Sequence, residues 1–243
     1  MSNAFPRAVL VLVLTAQAMA SNAQRWTSTD TVALMAAVTR NQQLYEGLAS
    51  YTLSGTVSAF RDLKDAASQD QQPFTVWRSA QGYKAEHFGM TTVQDAQMRV
   101  LIDPEQRMIY LSDPSGMLSM VDVGLRKEVF AAATALERNE QADGTHFRLR
   151  FPPSANYASL ELVFDGKGWL RRMVTCWGHP VAVDPDAPRS PVVTPKVIME
   201  LGAPQPLRTP MDMDPGQVVA LSKEGAVGKG QWKGYQVFDT RVR

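Results

Sequence analysis

Three histidines, one cysteine and two pairs of carboxylates carry most of the reactive chemistry in this chain, and their spacing limits what they can do. His87, His146 and His179 stand far apart, with no partner at the short spacing of a zinc site. Cys176, between Thr175 and Trp177, reads as a small buried hydrophobe rather than a nucleophile. Asp184-Pro185-Asp186 and Asp212-Met213-Asp214 offer the hard oxygens calcium takes. Neither reaches the ligand count of a calcium loop, so both read as solvated turns. No G-x-S-x-G elbow, H-E-x-x-H helix or P-loop occurs. Arg171-Arg172 is suited to an acidic head group or partner, but the plainer reading sends one arginine outward and lays the other over a sheet edge. We expect no catalytic residue, no metal and no cofactor.

Soft apolar surface is the more informative feature. Twelve methionines are present. Met90, Met98, Met108, Met117, Leu118 and Met120 gather in one stretch with Trp77, Phe88 and Tyr110. Methionine is flexible and polarizable, which suits a surface that accepts chains of varying shape, and a lipid pocket is largely apolar. Each of these residues taken singly also suits a filled core, so the grouping carries the reading. We expect these nine to line an apolar ligand groove.

The elements that must position them follow from periodicity. Ser28 to Thr31 offers helix N-caps, and Leu34, Met35, Val38, Tyr45 and Leu48 then predict an amphipathic helix stopping near Gly47. From Tyr51 to Ala59 apolar and polar residues alternate, the mark of a strand with one wet face. Segments 74–77, 83–88, 92–98, 100–102 and 108–111 continue as strands, with Gln81-Gly82 and Asp103-Pro104 at turns. A second helix is expected over Val123–Glu140 from the stripe Leu125, Val129, Ala132, Ala133 and Leu136. Strands return at 146–151, 159–164, 169–174 and 196–201, with a short element at 217–221 and a last strand at 235–242. Between them the proline-rich 179–195 reads as a long surface loop.

The start of the chain sets its destination. Arg7, the apolar run Ala8–Ala16 and the small residues of Ala18-Met19-Ala20 or Ser21-Asn22-Ala23 form a secretory signal peptide, cleaved after Ala20 or Ala23. No cysteine near the cut forms a lipobox, so the product is expected to be periplasmic or secreted and unanchored. Removing residues 1–23 takes away one arginine and no acid, leaving acidic and basic residues equal in number. Without a basic surplus, nucleic acid is not an expected partner, and no later stretch is long and apolar enough to span a membrane. A lone cysteine in an exported chain gives no internal disulfide.

The opening helix leading into YTLSGTVSAF, and the stretch SLELVFDGKGWLRRMV followed by VIMEL, resemble the LolA-like family of periplasmic lipoprotein carriers over about residues 30–201. The resemblance implies an α+β fold, a curved antiparallel sheet forming an incomplete β-barrel, with covering helices and an apolar hollow for acyl chains. The chain departs from that family in its long proline-rich loop and the residues after Leu201, and none of its positions matches the family's lid-contacting arginine. We expect residues 24–243 to form one such domain, with an extension from about residue 203. The expected function is a non-enzymatic binding protein that holds a lipid or lipoprotein acyl chains between sheet and helices, a helix shifting as the ligand enters. The alternative is a cell-envelope protein–protein interaction or sensor module with no small ligand; a hydrolase with an unrecognised site is the weakest third.

Overall fold

Asp30 starts the first long element. Its Oδ1 accepts the backbone N–H of Ala33 at 3.1 Å, satisfying a donor that every helix start leaves open. Helix α1 (Thr31–Glu46) then turns Leu34, Val38, Asn41 and Tyr45 to one buried face. The computed structural model describes residues 26–114, 127–183, 189–207, 214–223 and 225–241. The expected signal peptide lies outside them, as do Met117, Leu118, Met120, Asp184-Pro185-Asp186 and Asp212-Met213.

A short β1 (Thr27–Ser28) precedes α1, and β2 (Tyr51–Phe60), β3 (Asp70–Ser79), β4 (Gly82–His87), β5 (Met90–Gln94), β6 (Arg99–Asp103) and β7 (Met108–Ser112) follow it as a meander. Helix α2 (Lys127–Ala131) leads to β8 (Ala135–Gln141), β9 (Gly144–Arg150), β10 (Tyr157–Phe164) and β11 (Leu170–Trp177). The small pair β12 (Val181–Ala182) and β13 (Val192–Val193) comes next, then β14 (Lys196–Leu201) and β15 (Gln205–Pro206). Last are β16 (Val219–Ser222), β17 (Gly225–Gly228) and β18 (Gln236–Asp239).

One large sheet takes most of these strands, in the order β1-β8-β9-β10-β11-β14-β2-β3-β4-β5-β6-β7-β18. Neighbours are antiparallel except β18, which runs parallel to β7. The sheet is curved and does not close into a barrel; β1 and β18 are its ends among the described residues. Few helices accompany it among the described residues, and of these only α1 is long.

The expected helix over 123–140 is corrected. Only Lys127–Ala131 is helical among its described residues, and Ala135–Gln141 is a strand. Cross-strand charge decides the matter: Glu137 is paired with Arg148, which lies opposite Glu161 in turn, and Arg150 Nε reaches Glu137 at 3.2 Å. Such partners outweigh the helix propensity of an alanine-rich run. The strand expected over 92–98 stops at Gln94, because Asp95 Oδ1 accepts the N–H groups of Gln97 and Met98 at 2.7 and 2.8 Å and folds the backbone into a turn.

Pairing register assigns every strand residue to one of two faces, since directly opposed residues point the same way. The face that carries α1 is the helix face. Its core runs over β8–β11, β14, β2 and β3, where Leu53, Phe147, Leu149, Leu162 and Phe164 meet Leu34, Val38 and Tyr45 of α1. A second core lies on the opposite face of the other half. There Val93, Val100, Ile102, Ile109 and Leu111 pack against Val218, Val219, Trp232 and Tyr235 of the C-terminal segment. The described residues after Leu201 thus include strands of the sheet and the segment that backs it.

Candidate functional site

The two cores leave one surface of the sheet outside both: the helix face of β4–β7. Register places Ala85, Thr92, Leu101, Tyr110 and Phe238 there in one cross-strand row. A neighbouring row holds His87 beside Met90, and Asp103 beside Met108. Tyr110 stacks on Phe238 with ring centroids 5.3 Å apart, and its hydroxyl donates to Met108 Sδ at 3.0 Å. Met90, Leu101, Met108, Tyr110 and Phe238 are all half-buried, while Tyr83, Ala85, Thr92 and Gln94 on the same face of β4 and β5 are buried. Among the described residues, neither packed cluster includes any of them.

Three of the nine residues expected to line a groove, Met90, Met108 and Tyr110, therefore share this surface. Trp77 and Met98 do not. Trp77 points to the opposite face, where Lys84 Nζ stands 5.3 Å over its ring, and Met98 is buried in the second core. Phe88 projects from the β4–β5 turn and is 49% exposed.

That turn is strained. Phe88 and Gly89 are its two central residues, with φ of 50° and 73°. The first of these positions suits asparagine, which tolerates the left-handed region far better than phenylalanine. Phe88→Asn is expected to raise thermal stability, by about 1 kcal/mol, as measured by differential scanning calorimetry.

Beneath α1 the sheet is full. Leu34, Val38, Tyr45, Leu53 and Leu162 are each at most 1% exposed, so the long helix covers a packed core rather than a hollow. A small cavity of about 210 Å³ opens at its end, between the first turn of α1, Phe130, and Leu136 and Leu149 of β8 and β9. A second, of about 310 Å³, lies beside the β4–β5 turn, lined by Phe74, His87, Phe88 and Met90. A third, of about 360 Å³, sits on the opposite face under Trp232. Its lysines already have partners: Lys84 Nζ lies 2.7 Å from Glu86, and Lys229 Nζ donates to the Gly216 carbonyl at 2.6 Å.

The histidines are dispersed. His146 is buried on the opposite face of β9, its Nε2 2.9 Å from Asp143 and its Nδ1 3.4 Å from Glu161. Arg148 beside it pairs with Glu161 at 3.0 Å and lies 3.8 Å from the Trp26 ring, pinning the first described residue to the sheet. Asp143 is held below the usual carboxylate range, chiefly by its hydrogen bond with His146. On the helix face, burial pushes His87 below the ordinary imidazole value, with the Arg99 charge adding to the effect. Among the described residues, no three histidine, cysteine or acidic side chains cluster as a metal site would require. No described helix is long and apolar enough to cross a membrane.

Sequence reasoning found soft residues on β5 and β7 but missed their partners. Leu101 and Phe238 join that surface only through register, and β18 reaches it only by running back parallel to β7. No spacing rule in the sequence points to either.

No protein-family model matches the chain, and no curated protein does. Several solved structures are similar to it. One is an uncharacterized conserved protein from Thermus thermophilus, 13% identical, with a TM-score of 0.43 over 85% of this chain and 99% of that one. Another is the lipoprotein LppX of Mycobacterium tuberculosis, 16% identical, with a TM-score of 0.38 over 76% of this chain and 100% of that one.

Proposed function

We propose that this chain is an exported, non-enzymatic binding protein that holds a lipid or the acyl chains of a lipoprotein on the helix face of β4–β7. The observation that carries the reading is the division of labour between the two faces. The backs of β5–β7 are packed by the C-terminal segment, which holds these strands in place. Their fronts present Met90, Leu101, Met108, Tyr110 and Phe238, half-buried and outside both cores among the described residues. Apolar surface of this kind gains about 25 cal/mol for each Å² taken out of water, so a few hundred Å² of chain contact gives useful affinity without an ion pair. The ligand then lies beside α1, not beneath it, because the space beneath is filled.

The test is displacement of the neutral fluorophore N-phenyl-1-naphthylamine by long alkyl chains, with native mass spectrometry of the freshly purified protein. Lipid adducts and micromolar displacement are the expected result. Absence of both would favour the interaction-module reading, for which Tyr157, Val181, Val183 and Val192 supply a specific observation. These large apolar residues are exposed by 36–66% on and around the β12–β13 ribbon.

A further inference from the structure

One cross-strand row on the helix face is polar from end to end. Register sets Tyr51 opposite Arg78, Arg78 opposite Tyr83, Tyr83 opposite Gln94, Gln94 opposite Arg99, and Arg99 opposite Ser112. Strands lie about 5 Å apart, so Tyr51 and Tyr83 flank Arg78 on either side, and Arg99 stands three strands further along the sheet. The adjoining row, about 7 Å along the strands, is the largely apolar Leu53, Val76, Ala85, Thr92, Leu101 and Tyr110. The surface is amphipathic along the strand direction: cationic at one end and greasy beside it.

Donors at the Tyr51 end of that row lack acceptors. Tyr51 and Tyr83 are 0% and 5% exposed, and both hydroxyls are buried with no hydrogen-bond partner among the described residues. The Arg78 guanidinium stands 5.9 Å over the Tyr51 ring and acts on the Tyr51 hydroxyl as a nearby donor and as a charge, outside strict hydrogen-bond geometry. No carboxylate is paired with Arg78 among the described residues. Burial raises the Tyr51 pKa above the ordinary phenol value, so at neutral pH its hydroxyl keeps its proton and can donate it. Buried polar groups in folded proteins are nearly always satisfied. Here two phenols and a guanidinium point to one missing acceptor.

We infer that the ligand is an anionic amphiphile, its carboxylate or phosphate head held by Arg78 between the hydroxyls of Tyr51 and Tyr83 and its chain lying over the half-buried Leu101, Met108 and Tyr110. This rests on the binding reading above and adds the head-group class. Guanidinium and phenol O–H all donate to the same anionic oxygens, and charge-assisted bonds of this kind are about twice as strong as neutral ones.

The experiment compares three chains on the full protein, below their micelle concentrations: oleate, oleoyl-lysophosphatidate and uncharged oleyl alcohol, each displacing N-phenyl-1-naphthylamine. At least one anionic chain is expected to bind about tenfold or more tightly than the alcohol, and which one does so separates a free carboxylate from a phosphate source. Arg78→Gln is expected to bring that ratio to within about threefold, and Tyr83→Phe, which removes only the hydroxyl, to lower it by a smaller factor. Equal binding of all three chains by the unaltered protein would mean the row is simply hydrated; the head-group inference then fails and the binding reading stands. Displacement by none of them overturns both. Should Arg78→Gln not fold, the unaltered chain and Tyr83→Phe decide.

Discussion

Gly144→Ala is expected to cost about 3 kcal/mol or more of folding stability, a large effect for one added methyl group. Gly144 opens β9 with φ of 142°, a backbone state that residues with a side chain seldom adopt. A Cβ placed on it would lie 1.9 Å from the Phe164 carbonyl oxygen and 2.9 Å from the Asp165 Cα. Those are backbone atoms of the neighbouring strand end, so no rotamer change relieves the contact. Strain and clash both act, and the β9–β10 pairing that carries Phe147, Leu149 and Leu162 must shift to accommodate them. Gly89→Ala is the control: its φ is 73° but open space surrounds it, so only the conformational cost of about 1 kcal/mol remains. Urea titration of the two variants checks the difference; near-equal midpoints would mean the β9–β10 end is far more yielding than its geometry implies.

Asn41→Ala is expected to cost about 2 to 3 kcal/mol by the same measurement, adding an orphaned buried donor to a small cavity. Asn41 is 2% exposed on α1, and its Oδ1 accepts the backbone N–H of Leu170 at 2.9 Å. Leu170 starts β11 just past an irregularity in the β10–β11 ladder, where its N–H needs a partner from outside the sheet. The bond bears on mechanism as well as stability. A helix that lifted to admit a ligand would break it and would expose Leu34, Val38 and Tyr45 together. The shifting helix expected for ligand entry is therefore not α1, which is a fixed wall. Hydrogen exchange should show the Leu170 amide strongly protected in the original protein and far less so in Asn41→Ala.

Much of the sheet was legible because its strands alternate cleanly. Tyr51, Leu53 and Val57 against Thr52 and Ser54, or Leu160 and Leu162 against Glu161, announce period two without help from tertiary structure. β8 was not legible: Leu136-Glu137-Arg138-Asn139-Glu140 is charged enough to pass for a helix surface, and only Arg148 and Arg150 opposite it reveal a strand. The site was legible by composition and illegible by direction. Trp77 belongs to the same soft stretch as Met90 and Met108, yet parity sends it to the opposite face, and parity has meaning only once the register is known. The polar row from Tyr51 to Ser112 is an extreme case, since its six members keep no constant interval along the chain.

The place of β2 at the middle of the sheet has a kinetic consequence. It pairs on one side with β3, its neighbour in sequence, and on the other with β14, so that Thr56 meets Glu200. The β2–β7 ribbon can zip locally as the chain emerges, but the seam uniting it with β8–β11 waits for residues near 200, and β18 for residues 236–239. Such a high contact order places the protein among slow folders, whose unjoined ribbons spend their longest interval with open edges and invite aggregation or chaperone capture.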